Sequence, residues 1–120
     1  MALTLKERIA REANELGFAA VRFASADPPP GAGAALEDFL ASGRHGDMAW
    51  LTDNKERRKS PRAIWPEVKS IIMLGLSYGP ERDPLQALGM RSRGAISVYA
   101  QGADYHDVIK SKLKALAARV

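Results

Sequence analysis

The chain has 120 residues, of which 46% are hydrophobic and 27% charged, a composition typical of globular domains that excludes a disordered chain. It contains no cysteine, which excludes a disulfide, a thiolate nucleophile, a cysteine-ligated zinc ion and an iron–sulfur cluster held by these residues. The net charge of +4 is compatible with an anionic partner but identifies none, and with only two histidines we predict no metal site.

The first part of the chain predicts a helix, a strand and a second helix. Thr4 and Glu7 have the spacing of a capping box, and Gly17 stands where a helix commonly ends. Residues 18–24 are short, rich in apolar side chains and bounded by turn formers, which indicates a strand. A proline- and glycine-rich connector over residues 28–33 then leads into a helix predicted at 34–41.

The middle of the chain predicts short helices around a charged segment. Asp47 is placed to cap a helix that includes Trp50. Residues 53–59 are almost all charged, so we expect them to be solvated or to face an anion. Ser60 and Pro61 form an N-cap and first-turn pair, which predicts one helical turn as far as Trp65.

The last part predicts two strands and a final helix. Residues 69–78 contain a continuous apolar run, typical of a strand buried on both faces, with Leu74 fully buried. A polar loop over 79–93 precedes a strand predicted at 94–100. Asp104 is placed to cap a helix whose apolar residues recur with helical spacing as far as Val120.

These elements predict an α/β fold with a small mixed sheet flanked by helices. Three strands make a thin sheet, yet the middle one is predicted to be buried on both sides. The final helix also reaches Val120 with no cap, glycine or polar tail. We therefore expect residues 1–120 to be the front part of a longer domain, and the alternative is a complete small α+β domain.

Three segments stand in a characteristic order: Gly43–Trp50, Arg58–Pro61 and Ile96–His106. In this order and spacing the chain resembles the N-terminal region of the epoxyqueuosine reductases, which are cobalamin-dependent and complete queuosine synthesis on tRNA. The resemblance implies the N-terminal part of a cobalamin-binding domain on a nitroreductase-like scaffold. A ferredoxin-like module with two 4Fe-4S clusters and the strand with the proton-donating aspartate would lie outside this chain. The family often has a basic residue where this chain has Val98, which bears on the pose of the cofactor.

The resemblance also implies site residues, none of them catalytic. The expected cobalamin-binding residues are Arg58, Ser97, Tyr99, Asp104, Tyr105 and His106, and the expected tRNA-binding residues are His45, Arg57, Lys59 and Arg62. Only a tight turn separates the predicted strand from the predicted helix, so we expect Tyr99, Asp104, Tyr105 and His106 to lie close together, and the resemblance implies that Arg58 reaches the same cleft. The residues themselves allow plainer interpretations: a helix cap at Asp104, a packing role for Tyr105, and a solvated charge run around Arg58. Two further basic groups, Arg91/Arg93 and Lys110/Lys112/Lys114, could extend a phosphate track.

Two functions follow as hypotheses. In the first, the chain is the front of an oxidoreductase that reduces epoxyqueuosine in tRNA, and this piece alone is inactive. In the second, it is a freestanding module that binds a corrinoid, a flavin or RNA without catalysis. We expect a cytoplasmic, monomeric protein with no membrane partner, because the longest apolar run is far below the ~20 residues of a spanning helix and no signal peptide is present.

Overall fold

The computed structural model describes all of residues 1–120. The chain divides into two compact units: unit 1 comprises residues 1–21 and 74–120, and unit 2 comprises residues 22–73. No helix combines the length and the apolar character that crossing a bilayer requires. The helices are α1 (Leu5–Glu15), α2 (Ala32–Ala41), α3 (Trp50–Asp53), α4 (Lys55–Lys59) and α5 (Tyr105–Arg119). The strands are β1 (Ala20–Ser25) and β2 (Ser70–Gly75). Short 3-10 helices occupy Pro61–Ala63, Pro84–Gly89 and Val98–Ala100.

Helix α1 confirms the sequence prediction in detail. The Thr4 hydroxyl accepts a hydrogen bond from the Glu7 amide at 3.3 Å, and the Thr4 amide donates to the Glu7 carboxylate at 2.8 Å. This reciprocal capping box satisfies amide groups that would otherwise lack partners at the start of the helix. Gly17 follows the helix with φ of 91°, a conformation that glycine adopts without steric penalty.

The sheet has two strands, β1 and β2, in antiparallel order. The Ala19 amide donates to the Gly75 carbonyl at 2.8 Å, and the Ala26 amide donates to the Lys69 carbonyl at 3.3 Å. The start of β1 therefore lies beside the end of β2, as in any antiparallel pair. The prediction that β2 is buried on both faces is wrong, because Met73 is 56% exposed. Leu74 is half-buried, and its predicted full burial is also wrong.

The strand predicted over residues 94–100 does not form. The Ala100 amide donates to the Ser97 carbonyl at 2.9 Å, and the Gln101 side-chain amide donates to the Ile96 carbonyl at 2.8 Å. These groups are therefore satisfied locally, in a turn, and no neighbouring strand pairs with the segment. Alternating Ile96, Val98 and Ala100 fit a pleated strand, but a strand needs a ladder partner. The expected three-stranded mixed sheet is corrected to a two-stranded antiparallel one.

Unit 1 is held together by α1 and α5. The Lys112 ammonium on α5 donates to the carbonyl of Leu16, one of the carbonyls that the end of α1 leaves without a helical partner. Arg119 lies 3.3 Å from the Glu12 carboxylate. Lys112 thus bonds within the protein, which removes it from the three-lysine group considered for phosphate binding. The buried apolar residues of unit 1 are Ile9, Ala13, Phe18, Val21 and Leu116.

Unit 2 has a small apolar core and several ion pairs. Only Ala26 and Val68 are buried in it. The short helices differ from the prediction at one point, since α3 begins at Trp50 after Ala49 and receives no side-chain cap from Asp47. The Ser60 cap is confirmed, because its hydroxyl accepts from the Arg62 amide at 3.2 Å.

Candidate cofactor-binding site

Four side chains meet where α5 begins, and we call them the Tyr105 cluster: Tyr99, Asp104, Tyr105 and His106. The Tyr99 and Tyr105 rings have centroids 6.2 Å apart and lie nearly perpendicular, at 77°. The Tyr105 and His106 rings stack, with centroids 4.1 Å apart. Both geometries are favourable for aromatic pairs. The prediction that these side chains cluster is confirmed, although Tyr99 comes from a 3-10 turn instead of a strand.

Asp104 fixes the orientation of His106. One carboxylate oxygen accepts from the His106 amide at 2.9 Å and lies 2.8 Å from the ring Nδ1 of the same residue. The bond from the His106 amide, followed by the bond to its side chain, lowers the pKa of the Asp104 carboxyl. The capping role is therefore confirmed, and it occupies the oxygen that also holds the imidazole against Tyr105.

Two cavities in unit 1 share the walls formed by Tyr99 and Tyr105. The larger, of about 330 Å³, is open to solvent and is otherwise lined by the turn from Ala100 to His106. The smaller, of about 180 Å³, is apolar and is completed by Leu76, Tyr78 and Ile109. Since Leu76 directly follows β2, the Tyr105 cluster lies near the carboxyl end of that strand.

The lowered pKa of Asp104 leads to a pH prediction. A carboxyl whose pKa is lower in the folded state stabilises that state above its ordinary pKa, and this contribution is lost as the pH falls through the lowered value. Asp104→Asn keeps a capping oxygen but cannot titrate. We expect the parent chain to be more stable than Asp104→Asn at neutral pH and the two to converge in acid. Thermal melts across this pH range measure the difference, and a constant difference would contradict the assignment.

The basic segment of unit 2 contains cations that are already paired. Lys59 contacts the carboxylates of Glu37 and Glu56, and the bond to Glu37 is the main reason that the pKa of Lys59 is raised. Arg62 lies 3.1 Å from the Asp27 carboxylate and donates to the Val68 carbonyl at 2.6 Å. Both side chains therefore hold unit 2 together, and their predicted contact with tRNA stays a prediction.

Arg58 and Arg57 differ from these paired cations. The Arg58 guanidinium lies over the Trp50 ring, 4.7 Å from its centroid, and both arginines line a cavity of about 240 Å³ with Asn54 and Ile64. Arg58 belongs to unit 2 and the Tyr105 cluster to unit 1, so their predicted common cleft stays a prediction. Sequence reasoning did not predict this contact between Arg58 and Trp50. Its spacing from Arg58 across two short helices gave no signal.

The two remaining predicted site residues are less informative. His45 is half-buried in the turn after α2, and its Nδ1 has no hydrogen-bond partner, so the side chain does not satisfy local backbone groups. Ser97 is exposed and precedes the turn that carries Tyr99, without capping it through its side chain. Their predicted contacts with tRNA and cofactor stay predictions.

Comparison with known proteins gives the family. The family model described as "Epoxyqueuosine reductase QueG, DUF1730" matches residues 58–120, a segment that begins at Arg58 and contains the whole Tyr105 cluster. The chain belongs to the epoxyqueuosine reductase family. No solved structure matches the chain significantly.

Individual relatives agree with this assignment. The epoxyqueuosine reductase of Leadbetterella byssophila is 41% identical over 108 residues, covering 90% of this chain and 34% of the relative. That of Synechocystis sp. is 42% identical over 81 residues, covering 68% of this chain and 26% of the relative. That of Cellulophaga algicola is 38% identical over 108 residues, again covering 90% and 34%. The chain spans about a third or less of the length of these relatives.

Proposed function

We propose that this chain is the N-terminal part of the cobalamin-binding domain of an oxidoreductase that reduces epoxyqueuosine in tRNA to queuosine. One observation carries the proposal: the family match over residues 58–120 includes the Tyr105 cluster, which forms an open, aromatic-walled cavity. Relatives of the chain bear the name epoxyqueuosine reductase. Because the proposed substrate is tRNA, we further propose that the protein is cytoplasmic and that it acts as a monomer.

The residues of the Tyr105 cluster fit one edge of a corrin. A corrin ring is apolar on its faces and carries amide groups around its rim. The cluster offers the exposed rings of Tyr99 and Tyr105 together with their hydroxyl groups, which can donate to amide oxygens. At Gly102, φ is 79° and an added Cβ would meet no atom within 4 Å, so the turn leaves open space on this side. The cavity of about 330 Å³ accommodates an edge of the ring and not the whole cofactor.

The division of labour in the proposed enzyme follows from these side chains. Bound cobalamin supplies the reducing chemistry that no amino acid side chain offers. Tyr99 and Tyr105 would hold the rim of the cofactor and exclude water from it. Asp104 keeps the His106 imidazole in place, and Arg58 would donate to an amide or a phosphate of the cofactor.

The proposal predicts that the 120-residue chain alone does not reduce epoxyqueuosine. Cysteine thiolates hold 4Fe-4S clusters, and this chain contains none. The electrons would therefore come from another part of a longer protein, and so would the proton donor, which the family resemblance assigns to a strand outside this chain. A chemical reductant can replace the clusters but not the proton donor, so we still expect no queuosine. The purified chain is incubated with cobalamin, a chemical reductant and epoxyqueuosine-containing tRNA, and nucleosides are analysed by mass spectrometry. Formation of queuosine would contradict this part of the proposal.

A chimera tests the proposal as a whole. The 108 residues of the Leadbetterella byssophila enzyme that match this chain are replaced by the corresponding residues of this chain. We expect the chimera to convert epoxyqueuosine to queuosine in tRNA, because the substituted part performs the same binding role. The unaltered relative is the positive control. A chimera that folds and carries its clusters but neither binds cobalamin nor forms queuosine would contradict the proposed function.

A further inference from the structure

The charged segment of α4 and its surroundings separates into paired and unpaired cations. Lys55 and Lys59 both contact Glu37, and Arg62 contacts Asp27. Neither Arg57 nor Arg58 forms an ion pair with a carboxylate, although Glu56 directly precedes them in the sequence. Their positive charge is therefore available to a ligand, whereas that of their neighbours is compensated within unit 2.

These two arginines line a small cavity together with a polar and an apolar side chain. The cavity of about 240 Å³ is bounded by Asn54, Arg57, Arg58 and Ile64. Asn54 precedes α4, and its side chain caps no helix, so its amide is also free to donate. Two guanidinium groups and an amide present several N–H donors to a group with several acceptor oxygens, which describes a phosphate.

Trp50 holds the Arg58 guanidinium in this arrangement. The guanidinium carbon lies 4.7 Å from the centre of the Trp50 ring, within the range of a cation–π contact. The ring is 53% exposed and contributes to no buried core, so its position serves the contact with Arg58 more than packing. An arginine stacked on an aromatic plane loses less freedom when it binds a ligand than one that moves freely in solvent.

We propose that Arg57, Arg58 and Asn54 form a phosphodiester-binding site and that Trp50 is its positioning residue. The two candidate ligands rest on the proposed function, which names tRNA as the substrate and cobalamin as the cofactor. Both the RNA backbone and the nucleotide tail of cobalamin contain a phosphodiester. Ile64 provides an apolar surface beside the phosphate, suited to a ribose or a base.

The experiment measures the affinity of the chain for three probes. An unmodified RNA hairpin is followed by fluorescence anisotropy, and hydroxocobalamin and cobinamide are followed by absorbance. Cobinamide has the corrin ring but no nucleotide tail and no phosphodiester. The variants are Arg57→Gln, Trp50→Leu and the conservative Trp50→Phe, and Arg44→Gln is a control with the same loss of charge. Arg44 is 4.0 Å from Asp38 and does not line the cavity.

We expect Arg57→Gln and Trp50→Leu to weaken binding of a phosphodiester probe by about tenfold or more. Trp50→Phe keeps an aromatic plane and should retain most of the affinity. If Trp50 only filled space, phenylalanine and leucine would weaken binding equally. A loss confined to RNA assigns the site to the RNA backbone, and a loss for hydroxocobalamin but not cobinamide assigns it to the tail.

The proposal is overturned if Arg57→Gln affects no probe more than Arg44→Gln does, or if Trp50→Phe weakens binding as much as Trp50→Leu. It is also overturned if affinity for cobinamide falls as much as affinity for hydroxocobalamin while RNA binding is unchanged, or if neither phosphodiester probe binds. Far-UV circular dichroism shows that each variant is folded. Chimera activity is a separate readout, so an active chimera with an unaffected phosphodiester affinity rejects this site without rejecting the proposed function.

Discussion

Leu116→Ala is expected to lower the free energy of unfolding by about 2–5 kcal/mol. Leu116 is 5% exposed and is the one buried residue of α5, the helix that packs on α1 in unit 1. Alanine removes three carbon atoms from this contact and leaves a cavity that the two helices close only in part. Small domains are stable by about 5–15 kcal/mol, so the loss is a large part of the total. Urea denaturation followed by circular dichroism measures it.

Leu113→Ala is the matched control on the same helix. The side chain of Leu113 is 43% exposed, so the same chemical change removes less buried area. Helix propensity changes equally in the two variants and cancels in the comparison. We expect the loss in Leu113→Ala to be less than half of that in Leu116→Ala. Equal losses would show that α5 does not use Leu116 as its main contact with α1.

Tyr105→Ala is expected to weaken cobalamin binding by about tenfold or more. The Tyr105 ring lines both cavities of unit 1, contacts Tyr99 edge-on and stacks with His106. Its removal takes away a wall that both cavities share and leaves both neighbouring rings without their partner. The ring that we assign to the rim of the corrin is lost as well.

Tyr105→Phe separates the ring from its hydroxyl. The phenyl ring preserves the stacking on His106 and the wall that the two cavities share, whereas any hydrogen bond to a corrin amide is lost. We expect a smaller decrease in affinity than for alanine, with a melting temperature close to that of the parent. Unchanged affinity in Tyr105→Ala would remove the Tyr105 cluster from the proposed cofactor site.

The helices could be predicted from the sequence because their signals are local. Thr4 with Glu7, and Asp104 before an apolar stripe, specify helix starts through bonds that span two or three residues. The strands were less predictable, because a strand is completed by a distant partner. Apolar residues alternate with others over residues 94–100, as in a strand, but no neighbouring strand forms backbone hydrogen bonds with this segment. The apolar run in β2 indicated burial, yet Met73 is mostly exposed.

The candidate site could be predicted in part for the same reason. The Tyr105 cluster lies within eight consecutive residues, so a tight turn brings its rings together whatever the rest of the fold does. The pairing of basic residues depends on contacts between residues that are far apart in the sequence. Arg62 meets Asp27, which is 35 positions away, and no local pattern distinguishes Arg62 from the unpaired Arg57. Only the family resemblance assigned Arg58 and Tyr105 to the same cofactor, because the two residues belong to different compact units.

A titration of the 120-residue chain with hydroxocobalamin tests the central claim most directly. Absorbance reports a change in the surroundings of the corrin, and circular dichroism of the same sample shows that the chain is folded. The proposed cofactor edge predicts a saturable change in the corrin spectrum that is weakened in Tyr105→Ala. A folded chain that leaves the spectrum unchanged at every concentration would contradict the assignment of the Tyr105 cluster to cobalamin.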